Sequence, residues 1–266
     1  MTDTPASMTY GGYLALDQLL TAQHPISTHH DEMLFIVIHQ TKELWLRQIV
    51  HELQLAKALI RSDSLFQVHK SLSRVSRIQS VMTLSWDVLA TMTPSDYTSF
   101  RDVLGSSSGF QSAQFRQFEY LLGLKDGGHL RFQDEGSGPY AALVEALHEP
   151  SLWDEANAAL ARAGFSLPTA ASDQDWSVAY APSPEVEAAW AEVYSDTARW
   201  WPLYQLAEKL VDIDDSLATW RHKHVVTVER IIGLKRGTGG SAGVAYLRST
   251  LSKRAFPELW SLRTRV

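Results

Sequence analysis

The sequence predicts an all-α protein in which long helices surround one core. Apolar residues recur at helical spacing through several long stretches that are free of proline and glycine. No segment shows a useful length of the strict apolar–polar alternation that is typical of a half-buried β-strand, and no internal repeat is present. With 266 residues, 45% of them hydrophobic and 20% charged, the chain has the size and composition of a large globular domain.

The N-terminal part of the chain predicts a short helix followed by a long one. Residues 14–23 form an apolar-periodic stretch that ends before Pro25. Residues 27–32 (STHHDE) place capping residues ahead of acidic ones, which is typical of a helix start. From there to about residue 60 the chain lacks proline and glycine, so we expect one long, mostly buried helix.

Proline and glycine also mark the ends of the next predicted helices. Helical spacing resumes over 68–92 and stops before Pro94, a short helix over 95–104 is closed by a glycine, and another helix covers 110–124. Residues 125–184 carry shorter helical pieces and then a connection rich in Ala, Ser, Asp and Pro. We expect this region to form a peripheral helical excursion.

Long helical patterns return in the C-terminal third, over 185–211 and 215–234, and a final helix is expected over 244–253. Residues 236–243 (RGTGGSAG) hold four glycines, whose backbone entropy is too costly for the interior of a helix. This segment is therefore predicted to be a loop that is mobile or ordered by a ligand. The pattern divides the chain into an N-terminal arm with a short helix (1–27), a helical core (28–124 and 185–266) and the excursion (125–184).

Charge and cysteine content argue against several classes of function. The formal net charge is −6 and no block of Lys and Arg is present, so we expect no nucleic-acid partner. The absence of cysteine excludes disulfides, cysteine-ligated zinc or iron–sulfur sites, thiolate-ligated haem and covalent haem attachment. The N-terminus lacks the pattern of a secretory signal, and the longest strongly apolar run, 33–38, is too short for a bilayer. We expect a cytoplasmic protein that makes no membrane contact.

Two histidines on predicted helices are candidate functional groups. His39 lies in an apolar helix one turn after Phe35, where a lone histidine is more often a satisfied core residue than a catalytic one. His224 shares a helical stripe with Trp220 and Ile231 and is equally ambiguous by itself. Because the chain has no cysteine, a haem protein with this sequence would need such a histidine.

Tyr97 and Arg101 are four residues apart in a short helix and therefore share one face. They form either an exposed helix surface with a packed tyrosine, or a phenol and a guanidinium aimed at a carboxylate. His222 and His224 are two residues apart on a predicted helix, so they point about 200° apart and cannot share a metal.

Several short runs of the sequence are distinctive when taken together. They are LDQLL at 16–20, HDEMLFIVIHQ at 30–40, ELW at 43–45, FR at 100–101, SGFQS at 108–112, WRHKH at 220–224, TVER at 227–230 and KRGTGGS at 235–241. These motifs resemble those of the tryptophan 2,3-dioxygenase family, and they occur in the family's order from about residue 8 to the end. The tail and residues 125–184 are the variable parts, and residues between the motifs, such as Thr41 and Lys42, carry little weight.

The resemblance implies a homotetramer, a dimer of dimers, in which each helical subunit binds one haem b without covalent attachment. By position, His224 matches the proximal ligand of the haem iron, and His39 matches the distal histidine that faces the indole nitrogen of the substrate. Phe35 matches the aromatic residue of the indole pocket. Arg101, with Tyr97, matches the pair that holds the carboxylate of the amino acid.

Further roles follow from the same resemblance. Thr238 matches the residue of the glycine-rich loop that contacts the amino-acid end of the substrate. Ser108 and Gly109 correspond to positions over the haem, and Trp86 to a haem-edge residue. The N-terminal segment reaches a neighbouring subunit's pocket in this family, and here it carries Tyr10 and Tyr13.

The implied reaction adds both atoms of O2, the co-substrate, to the indole C2 and C3 carbons of L-tryptophan and gives N-formyl-L-kynurenine. The haem, active as Fe2+, does the oxygen chemistry, and the protein orients the ring. Two alternatives stay open: a biosynthetic relative that takes a substituted tryptophan or inserts one oxygen atom, and a non-enzymatic haem sensor or carrier. The full set of substrate-end residues favours tryptophan itself, since a sensor has no need of an amino-acid clamp.

Overall fold

Three long helices carry the fold in the computed structural model, which describes residues 8–167, 174–240 and 242–266. Within these ranges no β-strand occurs, so the predicted all-α class is confirmed. The α-helices are α1 (Tyr10–Tyr13), α2 (Leu16–Leu19), α3 (His30–Arg61), α4 (Leu65–Leu89), α5 (Pro94–Arg101), α6 (Ala113–Leu122), α7 (Gly138–His148), α8 (Leu152–Arg162), α9 (Pro184–Ser195), α10 (Trp201–Ile232), α11 (Val244–Ser249) and α12 (Pro257–Ser261). Short 3₁₀-helices cover Asp102–Leu104, Gly109–Gln111, Gly127–Phe132 and Leu262–Thr264.

The main core lies between α3, α4 and α10. A short turn joins α3 to α4, so these two helices run antiparallel, and α10 packs along α4. Removing each large aliphatic side chain from water contributes about 1.5–3 kcal/mol to folding. The side chains from these three helices that are fully excluded from solvent include Ile49, Leu53, Leu72, Val75, Leu210 and Ile213.

A smaller apolar cluster closes one end of the three long helices and positions the candidate site. It joins the N-terminal half of α3 to the C-terminal ends of α4 and α10 through Ile38, Trp86 and Ile231. Phe100 brings α5 onto the same cluster and is only 1% exposed. Helix termini and the loops that follow them therefore converge at this end of the bundle.

The predicted break in the last long helix is wrong. Residues 211–215 continue the helix, and the interruption falls earlier, between α9 and α10. Pro202 lies in the first turn of α10, where its missing N–H leaves no helical hydrogen bond unmade. Asp214 is fully buried and accepts hydrogen bonds from the backbone N–H of Ala255 (3.0 Å) and the indole of Trp260 (2.9 Å). Its carboxylate anchors the C-terminal segment and does not end the helix.

The short elements near the two termini also differ from the prediction. The expected helix over 14–23 is instead two four-residue helices, α1 and α2, separated at Ala15, whose φ of 50° is uncommon for a residue other than glycine. The final helix, expected over 244–253, ends as α11 at Ser249. Helices α3 to α6 and α8 confirm the predicted elements to within a few residues.

Part of the predicted excursion packs against the core. In α8, Trp153 is fully buried and stacks on Trp190 of α9 at a ring-centroid distance of 5.7 Å. The division of the chain into arm, core and excursion stays a prediction, and residues 1–7, 168–173 and Ser241 lie outside the described residues. None of the described helices has the length and apolar character that crossing a bilayer requires.

Candidate functional site

A cavity of about 250 Å³ lies beside the smaller cluster. His39 from α3, Trp86 from α4 and His224 from α10 all line it, together with residues 108–110. The two candidate histidines, which are far apart in the sequence, thus share one space. This proximity follows because α3 and α10 both pack against α4 and meet the smaller cluster at the same end of the bundle.

The imidazole of His224 contacts two indole rings. It stacks on Trp86 at 4.5 Å between ring centroids and 12° between planes, and Trp220, one helical turn earlier, is 5.1 Å away. Burial, and then the charge of nearby Lys42, lowers the pKa of His224 to about 3. No hydrogen bond to this imidazole occurs among the described residues. His224 therefore presents a neutral ring with an available lone pair.

The imidazole of His39 is held in one tautomer. Its Nδ1 lies 2.7 Å from the carbonyl oxygen of Phe35, and because a carbonyl only accepts, Nδ1 carries the proton. Burial, and then the charge of Lys42, lowers the pKa of His39 to about 4, so the ring is neutral at physiological pH. Nε2 is consequently the unprotonated nitrogen, which can accept a hydrogen bond.

An aromatic wall adjoins His39. The ring of Phe35 is 4.2 Å from that of His39, 5.9 Å from Tyr97 and 5.7 Å from Phe100. Burial raises the pKa of Tyr97, which keeps its phenol protonated and able to donate. The predicted pocket residues Phe35 and Tyr97 are thus brought together with His39 by the contact between α3 and α5.

The glycine-rich loop is fastened over the end of α5. The guanidinium of Arg101 donates to the carbonyl of Arg236 (2.5 Å), and the Thr238 hydroxyl donates to the carbonyl of Ser107 (2.5 Å). A Cβ at Gly239 would lie 2.5 Å from the Ser108 side chain, so glycine is required for this close approach. Both predicted substrate-end donors are therefore satisfied by backbone carbonyls, which a ligand carboxylate can replace.

A second, more open cavity of about 760 Å³ adjoins the first and is lined by both apolar and polar residues. His39, Ser108 and Gly109 line both cavities, whereas Phe35 and Thr238 line only the second. His39 therefore stands where the two spaces meet, and its neutral ring is accessible to a molecule in either one.

Among the described residues, four predicted site residues line neither of these two cavities. Tyr97 and Arg101 contact Phe35 and the glycine-rich loop instead. Tyr10 and Tyr13 in α1 are 77% and 72% exposed. Any contribution from them to a pocket would have to be made to another subunit.

The cavity also contains charged residues that sequence reasoning missed. Glu119 accepts from Arg116 (2.5 Å) and Arg221 (2.8 Å), a buried network that no local motif indicates. Lys42 is 6% exposed and lines the same cavity, although its position between the motifs had been given little weight. Its signal was its spacing, since a residue three positions after His39 lies on the same face of α3.

Comparison with known proteins finds similarity over nearly the whole chain. A family model described as Tryptophan 2,3-dioxygenase matches residues 2–163 and 186–266. A tryptophan 2,3-dioxygenase of Caulobacter vibrioides is 65% identical over 97% of this chain and 98% of its own length. Those of Bacillus thuringiensis subsp. konkukian (53%, over 100% and 95%) and Ralstonia pickettii (51%, over 98% and 94%) are also similar.

Proposed function

Because the chain belongs to the tryptophan 2,3-dioxygenase family, we propose that the cavity lined by His39 and His224 holds haem b, with L-tryptophan in the adjoining open cavity. The reaction of the enzyme inserts both atoms of O2 across the indole C2–C3 bond of L-tryptophan and gives N-formyl-L-kynurenine, the first step of tryptophan catabolism by the kynurenine pathway. The observation that carries the proposal is that two partly buried, neutral histidines from different helices line one cavity.

The residues of the cavity fit a non-covalently bound haem. His224 would hold the haem iron through its neutral imidazole, since the sequence has no cysteine to do so. Trp86, Ser108 and Gly109 line the same cavity and would contact the bound haem. The indole N–H groups of Trp86 and Trp220 are buried without a hydrogen-bond acceptor. A ligand with polar atoms in the cavity could satisfy such buried donors. When bound in its ferrous form, the haem supplies the oxygen chemistry.

His39 orients the substrate ring. Its Nδ1–H is held by the Phe35 carbonyl, so Nε2 is free to accept the indole N–H of tryptophan. Phe35 supplies an aromatic wall for the indole face, and the surrounding apolar residues exclude water. His39 is therefore a hydrogen-bond acceptor, and no proton transfer from it is required for binding.

The amino-acid end of the substrate meets the glycine-rich loop. A substrate carboxylate would replace the Arg236 carbonyl as the hydrogen-bond acceptor for the Arg101 guanidinium. A charge-assisted bidentate contact is stronger than one hydrogen bond to a neutral acceptor. The phenol of Tyr97 supports the same group. Thr238, now bonded to the Ser107 carbonyl, would turn to the α-amino acid group, so that substrate binding and loop position are coupled.

Haem uptake by the purified apoprotein tests the arrangement. Titration should end at one haem per chain, and after anaerobic reduction L-tryptophan should shift the visible spectrum of the bound haem. A protein that takes up no haem, or whose reduced haem is indifferent to L-tryptophan, would contradict the proposal.

Replacing His39 with alanine should slow turnover and leave measurable activity. Loss of one neutral hydrogen bond corresponds to roughly a two- to tenfold lower kcat/KM for L-tryptophan. The turnover of 1-methyltryptophan, which has no indole N–H to donate, should change little. His51→Ala, an exposed histidine on the same helix, is the matched control. Complete loss of activity with unperturbed substrate binding would instead identify His39 as an essential proton-transfer group.

We also propose that the chain assembles as a homotetramer in which Tyr10 and Tyr13 complete a neighbouring subunit's pocket. Several large apolar side chains of the arm are exposed in the single chain, Leu20 (69%) and Ile26 (66%) among them, as expected of a surface that a partner covers.

Deleting residues 1–14 should therefore reduce the mass measured by light scattering and raise the KM for L-tryptophan. Deletion of residues 1–7, which leaves both tyrosines in place, should do neither. An unchanged mass together with an unchanged KM for the longer deletion would rule out this role.

A further inference from the structure

Lys42 is a buried cation without a partner. It lies on α3 three residues after His39, is 6% exposed and lines the cavity assigned to the haem. Its ammonium nitrogen is 3.0 Å from the centroid of the Trp86 ring and has no hydrogen-bond partner. Burial lowers the pKa of Lys42 to about 7, because the charged ammonium loses its hydration and contacts only the face of the Trp86 indole.

The other charged side chains of the cavity already have hydrogen-bond partners in the protein. Glu43, the next residue along α3, accepts from the Ser112 hydroxyl (2.6 Å) and the Gln114 amide (2.9 Å). Glu119 is shared by Arg116 and Arg221. Among the described residues that line this cavity, Lys42 is thus left with no carboxylate of the protein, although its charge is the one most in need of an anion.

Three further donors of described residues that line the cavity lack acceptors. The indole N–H groups of Trp86 and Trp220 and the Nε–H of Arg116 are buried and unbonded, and the two indole rings are 5.5 Å apart. An unsatisfied buried donor is costly, and four of them around one apolar space are unusual in a native protein. Such a lining matches a ligand that brings acceptor oxygens and negative charge.

We propose that Lys42, assisted by Trp86 and Trp220, binds a propionate carboxylate of haem b. The inference rests on the proposed occupation of this cavity by haem, which brings two carboxylates into a space where Arg116 and Arg221 already bind Glu119 and Lys42 binds no carboxylate of the described residues. The carboxylate of tryptophan is the other possible source of such a group, but Arg101 is placed to receive it, outside this cavity.

The test compares haem with its dimethyl ester, which lacks the propionate charges. Wild type, Lys42→Met and Lys42→Arg are loaded with either pigment, and the rate of transfer to excess apomyoglobin is followed by absorbance. Loss of a charge-assisted contact should speed the release of haem from Lys42→Met by about tenfold to a hundredfold. Lys42→Arg should retain haem better than Lys42→Met, and the dimethyl ester should leave all three proteins at similar rates.

A control separates this role from general packing. Lys57, on the same helix, is also buried (5% exposed) but pairs with Glu149 outside the cavity, so Lys57→Met should release haem like wild type. Because Lys42→Met removes an unpaired buried charge, its apoprotein should unfold at the same or a higher temperature than wild type. A less stable Lys42→Met apoprotein would count against the proposed unpaired state of the ammonium.

Three results would overturn the proposal. Lys42→Met could retain haem as well as wild type, or release the dimethyl ester as much faster than wild type as it releases haem, or it could raise the KM for L-tryptophan with normal haem retention. The last result would assign Lys42 to the substrate carboxylate. None of these outcomes touches the proposed function, which fails only if the wild-type protein itself takes up no haem or does not respond to L-tryptophan.

Discussion

Arg101→Ala should lower kcat/KM for L-tryptophan by about two to three orders of magnitude, as expected when one partner of a buried charge pair is removed. The guanidinium already faces the glycine-rich loop, where it donates to the Arg236 carbonyl. A substrate carboxylate that replaces this carbonyl gains charge as well as a second hydrogen bond. Haem content should not change, because Arg101 does not line the cavity assigned to the haem.

The controls for Arg101 separate the charge contact from loop stability. Arg101→Lys should rescue poorly, since an ammonium cannot reproduce the planar fork of the guanidinium. Arg236→Ala removes an exposed arginine side chain but leaves the carbonyl, so its effect should be small. Tryptamine, which lacks the carboxylate, should be a poor substrate for the parent enzyme and should be little affected further by Arg101→Ala. Equal turnover of tryptamine and tryptophan would refute the clamp.

His224→Ala should remove most of the haem-binding capacity. The imidazole of His224, in contact with Trp86 and Trp220, is the proposed iron ligand. Its loss should weaken haem binding by more than the about 10–100-fold that is typical for loss of a residue that only supports a ligand. The measurement is haem content per chain and the Soret band after reconstitution. His222→Ala is the matched control, because His222 is exposed on another face of α10. Full haem in His224→Ala together with loss in His222→Ala would reverse the assignment.

Helical periodicity accounts for most of the fold, and its failures have local causes. The long uninterrupted pattern from His30 predicts α3 well because nothing in it competes with a helix. The same reasoning placed a break at 211–215, where the helix in fact continues. Asp214 instead serves as a buried anchor for the chain after α11, a contact that depends on residues about forty positions away. Periodicity carries no information about such tertiary partners.

The residues of the candidate site were also only partly predictable from the sequence. Motif resemblance selects His39, His224 and Arg101, and the packing of α3 and α10 against α4 brings the two histidines to one cavity. The resemblance says nothing of Lys42, because that position is significant only through the approach of Trp86 from α4. The carbonyl partners of Arg101 and Thr238 are likewise properties of the folded loop. Residue types could be predicted, whereas their present partners required the structure.

In the proposed reaction, both atoms of O2 are added to the indole ring of L-tryptophan. Oxygen labelling measures this outcome directly. The haem-loaded protein is reduced under anaerobic conditions, mixed with L-tryptophan and ¹⁸O2, and the product is analysed by mass before its formyl oxygen exchanges with water. We expect N-formylkynurenine with two labelled oxygen atoms. A product with one labelled atom, or a reduced haem protein that leaves tryptophan unchanged, would rule out addition of both oxygen atoms to L-tryptophan by this chain.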